Sequence, residues 1–550
     1  MRKIKLVQLT AFFMALLLLC SCSADWKQQW SLASRVPEES ESSLSSSEPE
    51  ETFQYSLDQR LPSILRQQII ASRRQVFAPI DDAVKKQVEL YLTPDLELET
   101  DLQIARSLTE GVGSFDEAVL EMPKKLSHAE AKEEIEFLFS YLKYGYCGYG
   151  YLGGDAVFNT AKEKMLAALA QQKDPVDLFT YKYDILIEFL EPIIVDSHFV
   201  VDSESFSTAH THRYYSFNEE LLFEQEGNEF ITTLDGTRLT LTAVEGKPPE
   251  EFLRLILTQE GTPAWAIGIT HVEPGEYSSL TLTLRNENGD PLEHSLPLQQ
   301  ADTEYTKALR KQSAGYNRYE REGISILENR RLYAEDNDPL NDADPQLTAF
   351  TEEAATLSTE PVLILDLRGN PGGNDSYAFK WIQNYAGLFE PGNYASINVS
   401  LLTNTVYQSA GWIRTWLEDM FYEADQEGRI PGWTDVLYGS AKLVPNENVV
   451  FVLIDSGVAS SAETFVAALQ EMENVIIVGT STSGMGTMGN IREIYLPKSR
   501  LCITCGFSLF LTPDLSPFEG KGYAPDLWAP PGESLERVLR FAANYELSQP

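Results

Sequence analysis

Residues 449–454, VVFVLI, form an unbroken apolar run of strand length, and together with the next two dozen residues they constrain the fold more than any other stretch. Asp455, Ser456 and Gly457 are turn residues, helical spacing runs from Ser460 to Met472, and a second apolar run covers 475–478. Strand, helix and strand in that order make a parallel crossover, because parallel strands cannot be joined by a tight turn. A side chain at the start of such a helix stands at the strand's carboxyl edge, beside free N–H groups and the positive end of the helix dipole. Ser460 and Ser461 occupy that place, where a serine can act as a nucleophile and a developing oxyanion can be stabilised. Ser460 to Glu463 also spell Ser-x-x-Glu, a capping box that asks no chemistry of the serine. On this segment alone the capping reading leads, and other segments must decide.

The N-terminus bears on location. Arg2, Lys3 and Lys5 precede an apolar run at 9–19, too short to span a membrane but right for the core of a signal peptide at 1–21. Leu19-Cys20-Ser21-Cys22 resembles a bacterial lipobox, which makes Cys22 the lipidated first residue of the mature chain and anchors it by acyl chains alone. Residues 22–53 are rich in Ser and Glu with few apolar side chains, so they read as a disordered tether. The expected location is therefore extracytoplasmic, on the bacterial cell membrane. A net charge of −39 argues against nucleic acid and against an anionic membrane surface as partners.

At 550 residues the chain has room for about three or four domains. The expected class is α/β in a multi-domain α+β arrangement. A helical part covers 54–198, with helices from His128 to Leu142 and from Asp174, read as a cap before Pro175, to Phe189; residues 144–154 read as a loop. Residues 199–305 are β-rich, with strands at 230–234, 239–244 and 279–285 around one helix at 249–257. That order resembles a degenerate PDZ domain; an unrelated small β domain has the same pattern. An α/β core with βαβ crossovers covers 306–550. Cys502 and Cys505 form a lone C-x-x-C in a strand pattern and read as structural, bonded or not. His210 and His212 lack a third ligand string and read as a solvated strand, so no metal is expected.

Residues 362–373, VLILDLRGNPGG, set a Gly-Gly turn at a strand end, where backbone N–H groups can approach a ligand. This string and GVASSAE at 457–463 resemble two segments of the C-terminal processing (tail-specific) serine peptidase superfamily. The resemblance implies a serine endopeptidase with Ser460 as nucleophile and a peptidase core at 306–550. In the better-known branch the base is a lysine in a Gly-Lys-Gly turn. Here that turn is Gly484-Met485-Gly486, and no lysine lies between Lys442 and Lys498. A second branch, which includes the tricorn core and chlamydial protease-like factors, uses serine, histidine and glutamate. Asp196-Ser197-His198 and Glu519-Gly520-Lys521-Gly522 match its strings in the correct order.

The resemblance therefore implies His198 as general base and Glu519 as the carboxylate orienting it, a division of labour that suits imidazole chemistry near neutrality. The oxyanion donors would be the N–H of Ser461 and that of Gly372 or Gly373, with Ser197 in support and Arg368 and Asn370 holding the loop. Substrates would be proteins or peptides, an extended peptide adding to a strand edge. No cofactor is required, and nothing in the sequence sets the oligomeric state. The alternative is a non-catalytic lipoprotein that binds a peptide or a hydrophobic ligand on the same fold, as the retinoid-binding modules resembling this superfamily do.

Overall fold

The computed structural model describes residues 57–92, 122–206, 214–309, 315–334, 344–387 and 443–548, with 96–97, 394–397, 429–430, 433, 436, 438 and 441. The leader, Cys22, the tether, His210 and His212 lie outside the described residues. No described helix is long and apolar enough to cross a membrane.

The apolar runs form the parallel centre of the main sheet. Ile324–Asn329, Val362–Asp366, Val449–Ile454, Val475–Gly479 and Leu527–Trp528 lie side by side in that order, each pair parallel. Both faces are covered, which is why Val449–Ile454 carries no polar residue and is buried along its whole length. On one face Leu365, Val452 and Ile477 pack against Phe350, Trp381 and Phe465 from the helices Pro345–Leu357, Asp375–Ala386 and Ser461–Leu469. On the other, Ile364, Phe451 and Ile476 meet Leu65 and Ile69 of Ser63–Val76 and Val538 and Phe541 of Ser534–Asn544. The α/β core is thus three layers. One of its covering helices comes from the part of the sequence assigned to the N-terminal helical region.

The β-rich stretch continues this same sheet. Leu253–Leu257 runs parallel to Leu527–Trp528 through Trp528 and Ile256, and the antiparallel strands continue outward from it. The helix expected at 249–257 is one turn, Pro249–Glu251, followed by the strand Leu253–Leu257. That strand has a partner on each side, so Leu253, Leu255 and Leu257 are more valuable in a ladder than on a helix. The PDZ likeness loses the helix on which it rested.

In the helical part, His128–Gly145 begins with the capping box of Ser127 and Glu130. Residues expected to form a loop are largely helical, with a short helix at Gly148–Tyr151. Asp177, not Asp174, caps the next helix, and Asp174 accepts the His128 N–H instead. Cys502 and Cys505 are free thiols on the strand Cys502–Leu511, since residues three apart point to opposite faces.

Arg73 and Asp526 are buried and form a two-bond ion pair at 3.0 and 2.8 Å, with Asp526 also accepting the Ile477 N–H at 2.9 Å. Asp526→Ala strands the Arg73 charge beneath the sheet. It is expected to lower unfolding free energy by about 3–5 kcal/mol, measured by denaturant titration.

Candidate active site

Ser460 lies at the N-terminus of Ser461–Leu469 with φ 52° and ψ −127°. A positive φ costs a residue with a Cβ about 1–3 kcal/mol, so the surrounding contacts must impose it. The Ser460 carbonyl accepts the N–H groups of Glu463 (2.7 Å) and Thr464 (3.1 Å), and the Glu463 carboxylate accepts the Ser460 N–H at 3.2 Å. The Ser460 hydroxyl is directed elsewhere: its Oγ stands 3.3 Å from Nε2 of His198.

His198 reaches this position by strand pairing. Val200–Val201, two residues on, pairs antiparallel with Ile503 and Thr504, and the Asp202 N–H bonds the Cys502 carbonyl at 2.7 Å. Phe199, Val201 and Phe206 are buried in the core of the helical part, which fixes the segment from the other side. The His198 ring is buried, and burial pulls its pKa down to about 4, with the Met488 backbone opposing. The ring is therefore neutral, and able to accept a proton, across the ordinary pH range.

Glu519 arrives on a loop that closes against the end of Val475–Gly479: Thr482 N–H bonds the Tyr523 carbonyl, and Gly520 N–H bonds the Gly484 carbonyl at 2.8 Å. Its carboxylate does not bond the imidazole. Oε1 accepts the Ser197 N–H at 2.7 Å and Oε2 accepts the Thr487 N–H at 3.3 Å. This half-buried carboxylate takes the backbone donors of the two segments it joins, and this places it one residue from His198 instead of on its ring. Among the described residues, the buried Nδ1 of His198, Oγ of Ser197 and Oγ1 of Thr487 have no hydrogen-bond partner at ordinary geometry.

The Gly-Gly turn packs directly on Ser460. A Cβ on Gly372, whose φ is +95°, would stand 2.5 Å from the Ala459 carbonyl oxygen, 2.8 Å from the Ser461 nitrogen and 3.0 Å from the Ser460 Cβ. The Gly372 N–H is engaged by the Asn370 side chain at 2.9 Å, which removes it from the pair of expected oxyanion donors. Neither Gly373 N–H nor Ser461 N–H makes a hydrogen bond among the described residues, while the Ser461 hydroxyl donates to the Gly373 carbonyl at 2.8 Å.

Arg368 and Asn370 hold this loop. Arg368 grips Asp366 and the Pro531 carbonyl, and Asn370 donates to Asn329 and accepts the Ala459 N–H on its own carbonyl. Burial alone would raise the Asp366 pKa, but Arg368 and Arg330 hold it well below the usual carboxylate range.

Two buried carboxylates escaped the sequence reading. Asp196 accepts the His198 N–H at 2.8 Å and the Tyr146 hydroxyl at 3.0 Å, and burial with the nearby Glu519 charge pushes its pKa up. Only its place in the Asp-Ser-His string pointed to it. Glu463 was read as a cap alone, yet it also takes donors from a distant turn. Among the described residues no group of three or more His, Cys, Asp or Glu is placed to hold a metal ion.

Residues 339–528 match the model of the family described as Peptidase family S41. The chain is 29% identical over 195 residues to carboxyl-terminal-processing peptidase 3, chloroplastic, of Arabidopsis thaliana. That stretch is 33% of this chain and 30% of the relative, so under a third of the relative's length is matched. Among solved structures, mature CPAF complexed with lactacystin is 14% identical with a TM-score of 0.40, covering 77% of this chain and 99% of that one. The tricorn protease is 13% identical with a TM-score of 0.32, covering 77% of this chain and 37% of that one.

Gly372→Ala should leave the chain folded by circular dichroism. It should also slow fluorophosphonate labelling of Ser460 about 10²-fold, because a small displacement of the reacting group is enough for such a loss.

Proposed function

We propose that the protein is a serine endopeptidase acting through an acyl-enzyme, a reading supported by the match of residues 339–528 to the family described as Peptidase family S41. The observation that carries the reading is the 3.3 Å approach of His198 Nε2 to the Oγ of a serine held at a strand-to-helix turn. Ser460 Oγ attacks the peptide carbonyl while His198 Nε2 takes its proton and then gives it to the leaving amine. A water molecule, deprotonated by the same nitrogen, releases the acyl group. The tetrahedral oxyanion is held by the N–H groups of Ser461 and Gly373, both free of other bonds among the described residues. Glu519 acts on His198 through Ser197, whose N–H its carboxylate holds and whose hydroxyl lies beside that carboxylate.

The substrates are proteins or peptides. The sequence at 19–22 supports placement outside the cytoplasm by a lipid on Cys22. Cys22→Ala is expected to shift the protein from the membrane pellet to the soluble fraction and to abolish incorporation of radiolabelled palmitate.

Mass spectrometry of peptides cut by the ectodomain, with Ser460→Ala as control, tests the activity. A folded chain that neither cuts nor accepts a fluorophosphonate on Ser460 would leave ligand binding without catalysis as the function. The low His198 pKa sets the pH dependence: a base must be unprotonated, so loss of labelling begins only as pH falls toward about 4. An acid limb near 6.5, the ordinary value for histidine, would contradict the buried ring.

A further inference from the structure

Glu463 is buried, and its carboxylate receives four donors from two separate segments. Oε1 takes the Thr482 hydroxyl at 2.5 Å and the Gly484 N–H at 2.7 Å, while Oε2 takes the Met485 N–H at 2.7 Å and the Ser460 N–H at 3.2 Å. A residue that served only as a helix cap would need the last of these alone. The turn it grips is packed backbone to backbone on the loop that bears Glu519. A Cβ on Gly484 would stand 2.5 Å from the Lys521 nitrogen and 2.7 Å from that of Gly520, and the Gly484 carbonyl accepts the Gly520 N–H.

From this arrangement we infer that Glu463 is a positioning residue for the reaction. It fixes the positive-φ backbone of Ser460 to the Gly484-Met485-Gly486 turn, and through that turn sets the nucleophile against the Glu519 loop and His198. The turn in which the sequence shows no base thereby has a different use: its N–H groups hold the carboxylate that holds the serine. This inference rests on Ser460 being the nucleophile. It adds that the aim of the nucleophile depends on the reach of the Glu463 side chain, as well as on its charge.

The test is the rate constant kinact and the constant KI for fluorophosphonate labelling, measured per active site on folded protein. Glu463→Gln turns an NH2 group toward two of the four donors. Glu463→Asp keeps a carboxylate at the third position of the helix, where an acid cap is equally served, but it is too short to span serine and turn. Both variants are expected to lower kinact by at least about tenfold with KI unchanged, since reacting geometry and not binding is lost. Wild-type kinact and an unchanged pH profile in Glu463→Asp would overturn the inference and leave a cap.

If neither variant folds, Thr482→Val removes one donor and spares the carboxylate. A threefold or larger fall in kinact supports the inference, and an unchanged kinact overturns it. Absence of labelling in the wild type would refute the nucleophile itself, an outcome distinct from any of these.

Discussion

Everything in this structure depends on a strand that cannot face water. Val449–Ile454 is apolar at every position, so it must lie inside a sheet covered on both sides, and its neighbours must run parallel to it through helical crossovers. Parallel strands share a carboxyl edge, where the connecting turns and helix N-termini gather. The Gly-Gly turn after Asp366, the Ser460 turn after Ile454 and the segment after Gly479 meet there for that reason. Their contacts are tight: the two turns approach so closely that Gly372 has no room for a side chain.

His198 and Glu519 come to this edge from far along the chain by backbone pairing. A short strand carries His198 onto Cys502–Leu511, and a loop bonded to Gly484 and Thr482 carries Glu519. Asp196 and Glu463, both buried, and the half-buried Glu519 then lie close together, and hydrogen-bond donors from the protein hold each of them. Burial raises the pKa of all three, and Glu463 is pushed up to about 7 with Glu519 adding to the effect, while the donors from Thr482, Met485 and Gly484 oppose it. Such groups are costly unless bonded, which makes this polar network as restrictive of geometry as the apolar core is.

The α/β core was legible because its signal is local: apolar runs of strand length separated by helical spacing. Ser460 and His198, named from their strings, are brought together in space. Two kinds of information were not legible. Whether 253–257 forms helix or strand depends on two partners, one of them at Trp528, which no local pattern reveals. Which atoms a buried carboxylate bonds depends on the segments that close around it. Glu519 was therefore assigned to the imidazole, whereas it holds the Ser197 and Thr487 backbone, and Glu463 was seen only as the cap its spacing spells. That the Gly372 N–H is already engaged likewise depends on where the Asn370 side chain lies.

A crystal structure of the protein after reaction with a fluorophosphonate bears most directly on the central claim. The account predicts phosphorus bonded to Ser460 Oγ, the phosphoryl oxygen within hydrogen-bond distance of the Ser461 and Gly373 N–H groups, and His198 Nε2 at the adduct. Phosphorus on another residue, or on Ser460 with its oxygen turned away from both N–H groups and from His198, would contradict it.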